Sequence, residues 1–330
     1  MIRTVVRRLA FALGFVLLLT LCSEVALRAF YPHPLVERYF RPARNSAGYR
    51  LSRNEKYQFF HNGRLINVET DDTGHRVVPG APSDATCQIF VIGDSQVFGW
   101  GLTNEETIPA RIQQKLGSKC RVINLGVPGY GPIAYAEQMR YLPQGAIAVV
   151  VQTEANDLQD AAIVHSAMTS RCGYLVSPAF FGQHLPCFVL SSYSLAKAIE
   201  IKVSIDPTLP TPVGFNPDTE AAARVLQYRV RNLYAEALNA QSNPTIFAVI
   251  PWDAAIQAAR LTNYEPLLKY PKRLVDLPET SNLDAAFRSY SKPDELFQAN
   301  DSHVSPVGAD LVARVLEPQI ADLIAQRTTR

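Results

Sequence analysis

Cys87-Gln-Ile-Phe-Val-Ile-Gly-Asp-Ser-Gln-Val-Phe-Gly-Trp-Gly-Leu102 is the stretch on which the fold turns. Ile89 to Ile92 are uniformly apolar, and Gly93-Asp94 ends the run at strand length. A short apolar run closed by a turn signal suits a strand buried on both faces of a parallel sheet. The pattern then repeats downstream. A helix is expected over Asn104 to Leu116, with Asn104 as its N-cap, Glu105 and Glu106 in the first turn and Gly117 past its end. Strands are expected at Arg121–Asn124, Ile147–Val151, Ile246–Ile250 and, more weakly patterned, Arg273–Leu277. Helices are expected near Ile133–Tyr141, over Asp218–Asn239 and from Pro306 to about Gln326. Strands that alternate with helices imply a parallel sheet covered on both faces. The expected fold is thus an α/β, flavodoxin-like three-layer sandwich over residues 86–330, interrupted by an insert at about 160–216.

Upstream the composition changes. Residues 31–85 are rich in Arg, Asn, Gly and Pro, with strand-like pieces at Tyr57–His61 and Leu65–Glu69 around an Asn62-Gly63 turn signal. This segment is expected to pack on the catalytic domain as a small hairpin. Residues 1–30 carry Arg3, Arg7 and Arg8 ahead of an uncharged run from Leu9 to Cys22. That run alone suits a cleaved signal peptide, but no small-residue cleavage site follows it. The helical pattern continues to Leu27, with Glu24 and Arg28 spaced to pair, and a bulky Leu21 stands against a lipid-modified Cys22. An uncleaved signal anchor, forming a transmembrane helix, is the preferred expectation.

Apolar residues are 47% and charged residues 19% of the chain, so a sizeable core can be buried. A formal net charge of +2 without a dense basic run gives no case for nucleic acid as partner. Five cysteines without a C-x-x-C pair provide no zinc ribbon or redox motif. Cys87 and Cys120 each open a strand and would sit at the same level if those strands are parallel neighbours, and Cys172 and Cys187 share the insert. Two disulfides would fit an oxidising compartment, the alternative being that Cys87 and Cys120 are small buried hydrophobes.

Ligands of open α/β sheets bind beyond the carboxyl ends of the strands. Gly93-Asp94-Ser95 follows the first strand, Gly126 to Gly131 the second, and Glu154 to Asp157 the third, while Asn300-Asp301-Ser302-His303 precedes the last helix. A serine hydroxyl reacts when an imidazole takes its proton, and the imidazole needs an acceptor on its other nitrogen. Backbone amides and an Asn side chain can receive an oxyanion. His33, His61, His75, His165 and His184 lack metal-ligand spacing and read as surface or loop residues. The Gly-x-Gly pieces at Gly99 and Gly129 lack the rest of a dinucleotide fingerprint. No metal and no cofactor is expected.

These blocks resemble the SGNH (GDSL-type) hydrolases. The resemblance rests on Gly93-Asp94-Ser95, on Gly126 within Asn124–Gly129, on Asn156-Asp157, and on His303 ahead of Ser305 and Gly308. Val91–Leu102, Val122–Gly131 and Asp72–Arg76 look like a bacterial subgroup with an N-terminal membrane segment. The resemblance implies Ser95 as nucleophile, His303 as general base, and Ser95, Gly126 and Asn156 as the oxyanion hole. Two positions depart from the family. Glu154 stands where a glycine is usual, either beside Asn156 in the pocket or on its rim. Asn300 stands where the acid is usual, so Asp301 is taken as the triad acid, with Asn300 as a weak orienter if Asp301 points away. Trp100 reads as packing or pocket wall.

The expected activity is that of a serine esterase removing acetyl or other short acyl groups from a carbohydrate or envelope ester. One alternative is a polysaccharide O-acetyltransferase using the same serine. The other is a non-catalytic envelope or polysaccharide-binding protein. The expected place is the cytoplasmic membrane, single-pass, with the catalytic domain on the periplasmic side.

Overall fold

Ile89, Val91, Phe90 and Ile92 divide between two cores, as the two-residue period of a strand requires. The computed structural model describes residues 2–30, 39–153, 157, 169–172, 174–176, 186–187, 192, 220–251, 280–281, 283–299 and 301–328. In chain order its elements are α1 (Ile2–Phe30), β1 (Phe40–Pro42), β2 (Tyr49–Leu51), β3 (Lys56–His61), β4 (Arg64–Glu69), β5 (Gln88–Ile92), α2 (Ser95–Phe98) and α3 (Ile108–Leu116). Then follow β6 (Arg121–Asn124), α4 (Pro132–Arg140), β7 (Ile147–Thr153), β8 (Thr169–Arg171), β9 (Tyr174–Val176), α5 (Glu220–Gln241), β10 (Thr245–Ile250), β11 (Thr280–Ser281), α6 (Leu283–Ser289) and α7 (Pro306–Thr328).

β6, β5, β7, β10 and β11 lie side by side in that order, all parallel. Counted along the sheet this is 2-1-3-4-5, the flavodoxin-like order, whose switch point falls between its first and third strands. On one face Phe90, Ile92, Ala148, Val150 and Phe247 join α4 and α5 through Tyr135, Met139, Val230 and Tyr234. On the other Ile89, Val91, Ile147, Val149, Val151 and Ile246 meet α3, α6 and α7 through Ile112, Leu116, Phe287, Val312 and Leu316. The three-layer α/β sandwich expected from the alternation is therefore present.

Three details depart from the sequence-based expectations. The helix predicted from Asn104 begins at Ile108. Thr103 and Glu106 close a capping box around a 3-10 turn at Asn104–Glu106, and Thr107 then accepts the Ala110 N–H as the N-cap of α3. Asn104 does not cap because its Oδ1 accepts from the buried Arg76 Nε at 2.9 Å. Second, the fifth strand of the sheet is Thr280–Ser281, and the predicted Arg273–Leu277 lies outside the described residues. Third, most of the 160–216 insert lies outside them too; its described part includes the antiparallel pair β8–β9.

The segment ahead of β5 enters the sheet's own core. Tyr39, Phe40, Tyr49, Leu51, Tyr57, Phe59 and Ile66 are buried in the cluster that holds Phe90, Phe98 and Tyr130. β3 and β4 pair antiparallel with His61 opposite Arg64. Asn62 and Gly63 both have positive φ, 46° and 75°, as a two-residue I′ hairpin loop requires. Farther upstream, α1 is long and apolar enough to cross a membrane. An 18-residue window of mean hydropathy 2.2 lies within Arg3–Phe30, none of it buried, and Arg28 Nε pairs with Glu24 Oε1 at 2.8 Å.

Candidate active site

Ser95 is the first residue of α2, directly beyond the carboxyl end of β5. Asp94 caps that helix by accepting the Gln96 N–H at 2.8 Å, and the left-handed Gly99 ends it after one turn. The strand-to-helix reversal is tight. A Cβ on Gly93 would fall on the Val97 side chain and within 2.8 Å of the Val151 carbonyl oxygen, so only glycine fits. A Cβ on Gly126, in the loop after β6, would fall on the backbone of Val97 and Phe98. Both glycines let backbone segments close around the serine.

The histidine arrives from the other end of the chain. Phe297 and Val304 form an antiparallel bridge, and His303 directly precedes it on the second side. Ser305 follows it and caps α7 by accepting the Gly308 N–H at 3.1 Å. His303 Nε2 lies 2.7 Å from Ser95 Oγ, and His303 Nδ1 lies 2.6 Å from Asp301 Oδ1. Asp301 Oδ1 also accepts the His303 backbone N–H at 3.1 Å. Ser95, His303 and Asp301 thus stand in one hydrogen-bonded line, with Nδ1 protonated and facing the carboxylate and Nε2 left to accept from the serine.

The Asp301 side chain is only 17% exposed. Desolvation pushes its pKa up, but hydrogen bonds from His303 and His61 and the charge of His303 outweigh it, holding the carboxyl well below the usual carboxylate range. It is an anion at any ordinary pH.

Two neighbours lock this line in place. The Gln96 amide donates to the Ser302 carbonyl at 3.0 Å and its Oε1 accepts the Val304 N–H at 2.9 Å. Both ends of the peptide around His303 are therefore tied to the residue next to the serine. The Trp100 ring stacks beside the His303 imidazole, with centroids 6.1 Å apart. Asp94 and Asp157 are buried and hold turns: Asp157 accepts from Tyr135 Oη at 3.0 Å and from the Thr153 N–H at 2.8 Å.

Of the expected oxyanion donors, the Ser95 amide sits at the first helical position, where no intrahelical acceptor exists. The Gly126 N–H is committed elsewhere. It donates to Asn124 Oδ1 at 2.9 Å, the local turn that Asn side chains form two residues back. Asn156, Glu154 and Asn300 lie outside the described residues. The cysteines are joined as Cys87–Cys120 and Cys172–Cys187. Among the described residues no group of three or more His, Cys, Asp or Glu side chains is arranged to hold a metal ion.

His61 and Gln96 were not read from the sequence as site residues. His61, set aside there as a surface or loop residue, places Nε2 2.8 Å from Asp301 Oδ2. The Asn62-Gly63 turn marks the end of a hairpin, but nothing local says over which loop that end lies. Gln96 adjoins the serine, and only the fold brings residues 302–304 to it.

No protein-family model matches the chain, and no curated protein sequence does. Among solved structures, the chain is similar to a lipase/acylhydrolase from Enterococcus faecalis at 14% identity and a TM-score of 0.37, covering 71% of this chain and 95% of that one. It is also similar to a carbohydrate acetylesterase family member from Sinorhizobium meliloti, at 15% identity and a TM-score of 0.33, covering 73% and 100%. A salicylyl-acyltransferase from a tetracycline biosynthetic pathway overlaps at 12% identity and a TM-score of 0.29, over 80% of this chain and 59% of that one.

Proposed function

We propose that the protein is a serine esterase of the SGNH type that removes acetyl or other short acyl groups from a carbohydrate or envelope ester. The observation that carries the reading is the continuous line Asp301–His303–Ser95, with contacts of 2.6 and 2.7 Å at the carboxyl edge of a doubly wound sheet. The four sequence blocks that resemble the family support it independently.

The chemistry follows from the protons. Ser95 Oγ–H donates to His303 Nε2, so attack of Oγ on an ester carbonyl passes that proton to the imidazole. The resulting imidazolium faces an Asp301 carboxylate that remains ionised. The carbonyl oxygen becomes an oxyanion, received by the Ser95 N–H and the Asn156 side-chain amide. The Gly126 N–H contributes only by sharing its proton with Asn124 Oδ1. Collapse expels the alcohol, which takes the proton from His303. Water then repeats the sequence on the acyl-serine and releases the acid.

The placement belongs to the same proposal. α1 anchors the chain in a cytoplasmic membrane, and residues 31–330 work on the extracytoplasmic side. The two disulfides support an oxidising compartment.

The test is fluorophosphonate labelling of the full chain in detergent, read by intact mass. A single adduct on the wild type that is lost in Ser95→Ala is expected. A folded wild-type protein that takes no adduct defeats the reading. Acyl chain length and acceptor are then assigned with acetylated sugars as donors and free saccharides as acceptors.

A further inference from the structure

We propose that His61, carried by the β3–β4 hairpin from outside the sheet, is the positioning residue of the triad acid: its Nε2–H occupies the second oxygen of Asp301 and so points the first at His303. The inference rests on the serine-hydrolase reading and adds to it a residue from the lead-in segment.

Asp301 Oδ1 lies 2.6 Å from His303 Nδ1, and Oδ2 lies 2.8 Å from His61 Nε2. One carboxylate thus joins two imidazoles, one on each oxygen. A carboxylate held well below its usual pKa accepts only, so the His61 nitrogen facing it carries the proton. Asn62 Nδ2 also lies 3.3 Å from His61 Nε2, but with that nitrogen protonated toward the carboxylate, Asn62 donates instead to the Ala299 carbonyl at 2.9 Å.

The surroundings hold the ring for that contact. The Asn62 bond ties the hairpin tip to the loop that bears Asp301. Arg64, paired across from His61, binds Glu106 at 2.9 Å and fixes the other strand. Gly101 makes room: its φ is +70°, and a Cβ there would fall on His61 Cδ2 and on Gln298 Oε1. The side chains of His61 and Asp301 are each 17% exposed, so little water is available to replace the bond.

Asp301 can rotate its carboxyl group, whose Oδ1 is held by the ring and the backbone N–H of His303. Without a donor on Oδ2, rotation would trade the His303 contact for water. With it, the carboxylate plane is fixed by two imidazoles before substrate arrives, which is preorganisation of the base.

The experiment compares fluorophosphonate labelling rates of Ser95 in the full chain for wild type, His61→Phe and His61→Gln, with melting temperatures alongside. Phenylalanine keeps a ring against Trp100 but has no donor; glutamine loses the ring but can donate to Oδ2. The expected result is a roughly 10–100-fold slower rate for His61→Phe, in line with the cost of slight misplacement of reacting groups, and a rate for His61→Gln within about 5-fold of wild type. A packing role gives the reverse order, with Phe better than Gln, and overturns the proposal. Equal rates in all three proteins overturn it as well while leaving the esterase reading standing. A wild type that does not label removes both.

Discussion

Gln96 makes its two hydrogen bonds at the point where the serine and histidine segments meet, and replacing it by Leu removes both with little change of volume. The Val304 N–H, in a residue only 1% exposed, would lose its acceptor where water cannot follow, at about 1–3 kcal/mol. The Ser302 carbonyl lies in a partly buried residue and water can reach it, so its share is the ordinary net ~0.5–1.5 kcal/mol of one bond. Together about 2–4 kcal/mol should be lost, which for a chain this size lowers the melting temperature by roughly 3–6 °C. The catalytic effect is larger in proportion. Freed at both flanking peptides, His303 should drift from its 2.7 Å contact with Ser95, and a misplacement of about 1 Å costs about 100-fold in rate. Melting of the full chain in detergent and the rate of fluorophosphonate labelling measure the two losses. If Gln96→Leu melts within about 2 °C of wild type and labels within about twofold, the clamp reasoning is wrong.

Three further outcomes are expected. Asp301→Asn should cost roughly 1,000–10,000-fold in labelling rate, because each Asp301 oxygen accepts from an imidazole and an amide, flipped either way, presents N–H to one of them. The same variant has a pH signature: a carboxyl whose folded pKa is depressed adds stability above its unfolded value near 4, and that stability fades as pH falls through the folded value. The melting difference between wild type and Asp301→Asn should therefore be present at pH 7 and shrink below about pH 4; a difference that grows in acid would contradict the ion pairing. For the cysteines, Cys87 and Cys120 are separated by 33 positions. Replacing both by Ala should destabilise by up to about 4 kcal/mol on chain-entropy grounds. Unchanged melting, or free thiols at both positions in unreduced protein, would remove the bridge from the account.

The legible parts of this chain are those whose information is local. The apolar runs at β5, β7 and β10 declare buried parallel strands because both faces must be covered, and the two cores divide their side chains. The Asn62-Gly63 hairpin was readable because few residue pairs tolerate two positive φ values. That Ser95, His303 and Asp301 meet was legible from type and order, since each follows or precedes a recognisable element; their roles are what the resemblance implies. What stayed hidden depends on contacts across the chain. Asn104 looked like a cap because its type suits one, yet Arg76 takes its side chain. The Gly126 amide looked free to serve an oxyanion, yet Asn124 folds back on it. Gln96 and Val304 meet across 208 positions, and no spacing rule reaches that far.

The lead-in segment shows why the site cannot be understood from the sheet alone. Arg76 is 1% exposed, and burial lowers its pKa only to about 10, so it is charged at neutral pH. Besides Asn104 Oδ1, three backbone carbonyls hold it: Nη1 donates to Phe98 and Gly99 at 2.8 and 2.7 Å, and Nη2 donates to Leu102. Those carbonyls belong to the turn that ends α2 and carries Trp100 beside His303. Tyr49, from the same segment, donates to the Pro128 carbonyl at 2.9 Å and steadies the loop after Gly126. His61 Nε2 meets Asp301 Oδ2 at 2.8 Å. Three loops of the site thus each take a side chain from residues that precede the first strand of the sheet. A buried charge held by carbonyl dipoles is costly to assemble and more costly to lose by half. The turn around Ser95 and the segment that staples it therefore depend on each other, and the serine–histidine site is built from the lead-in as well as from the sheet.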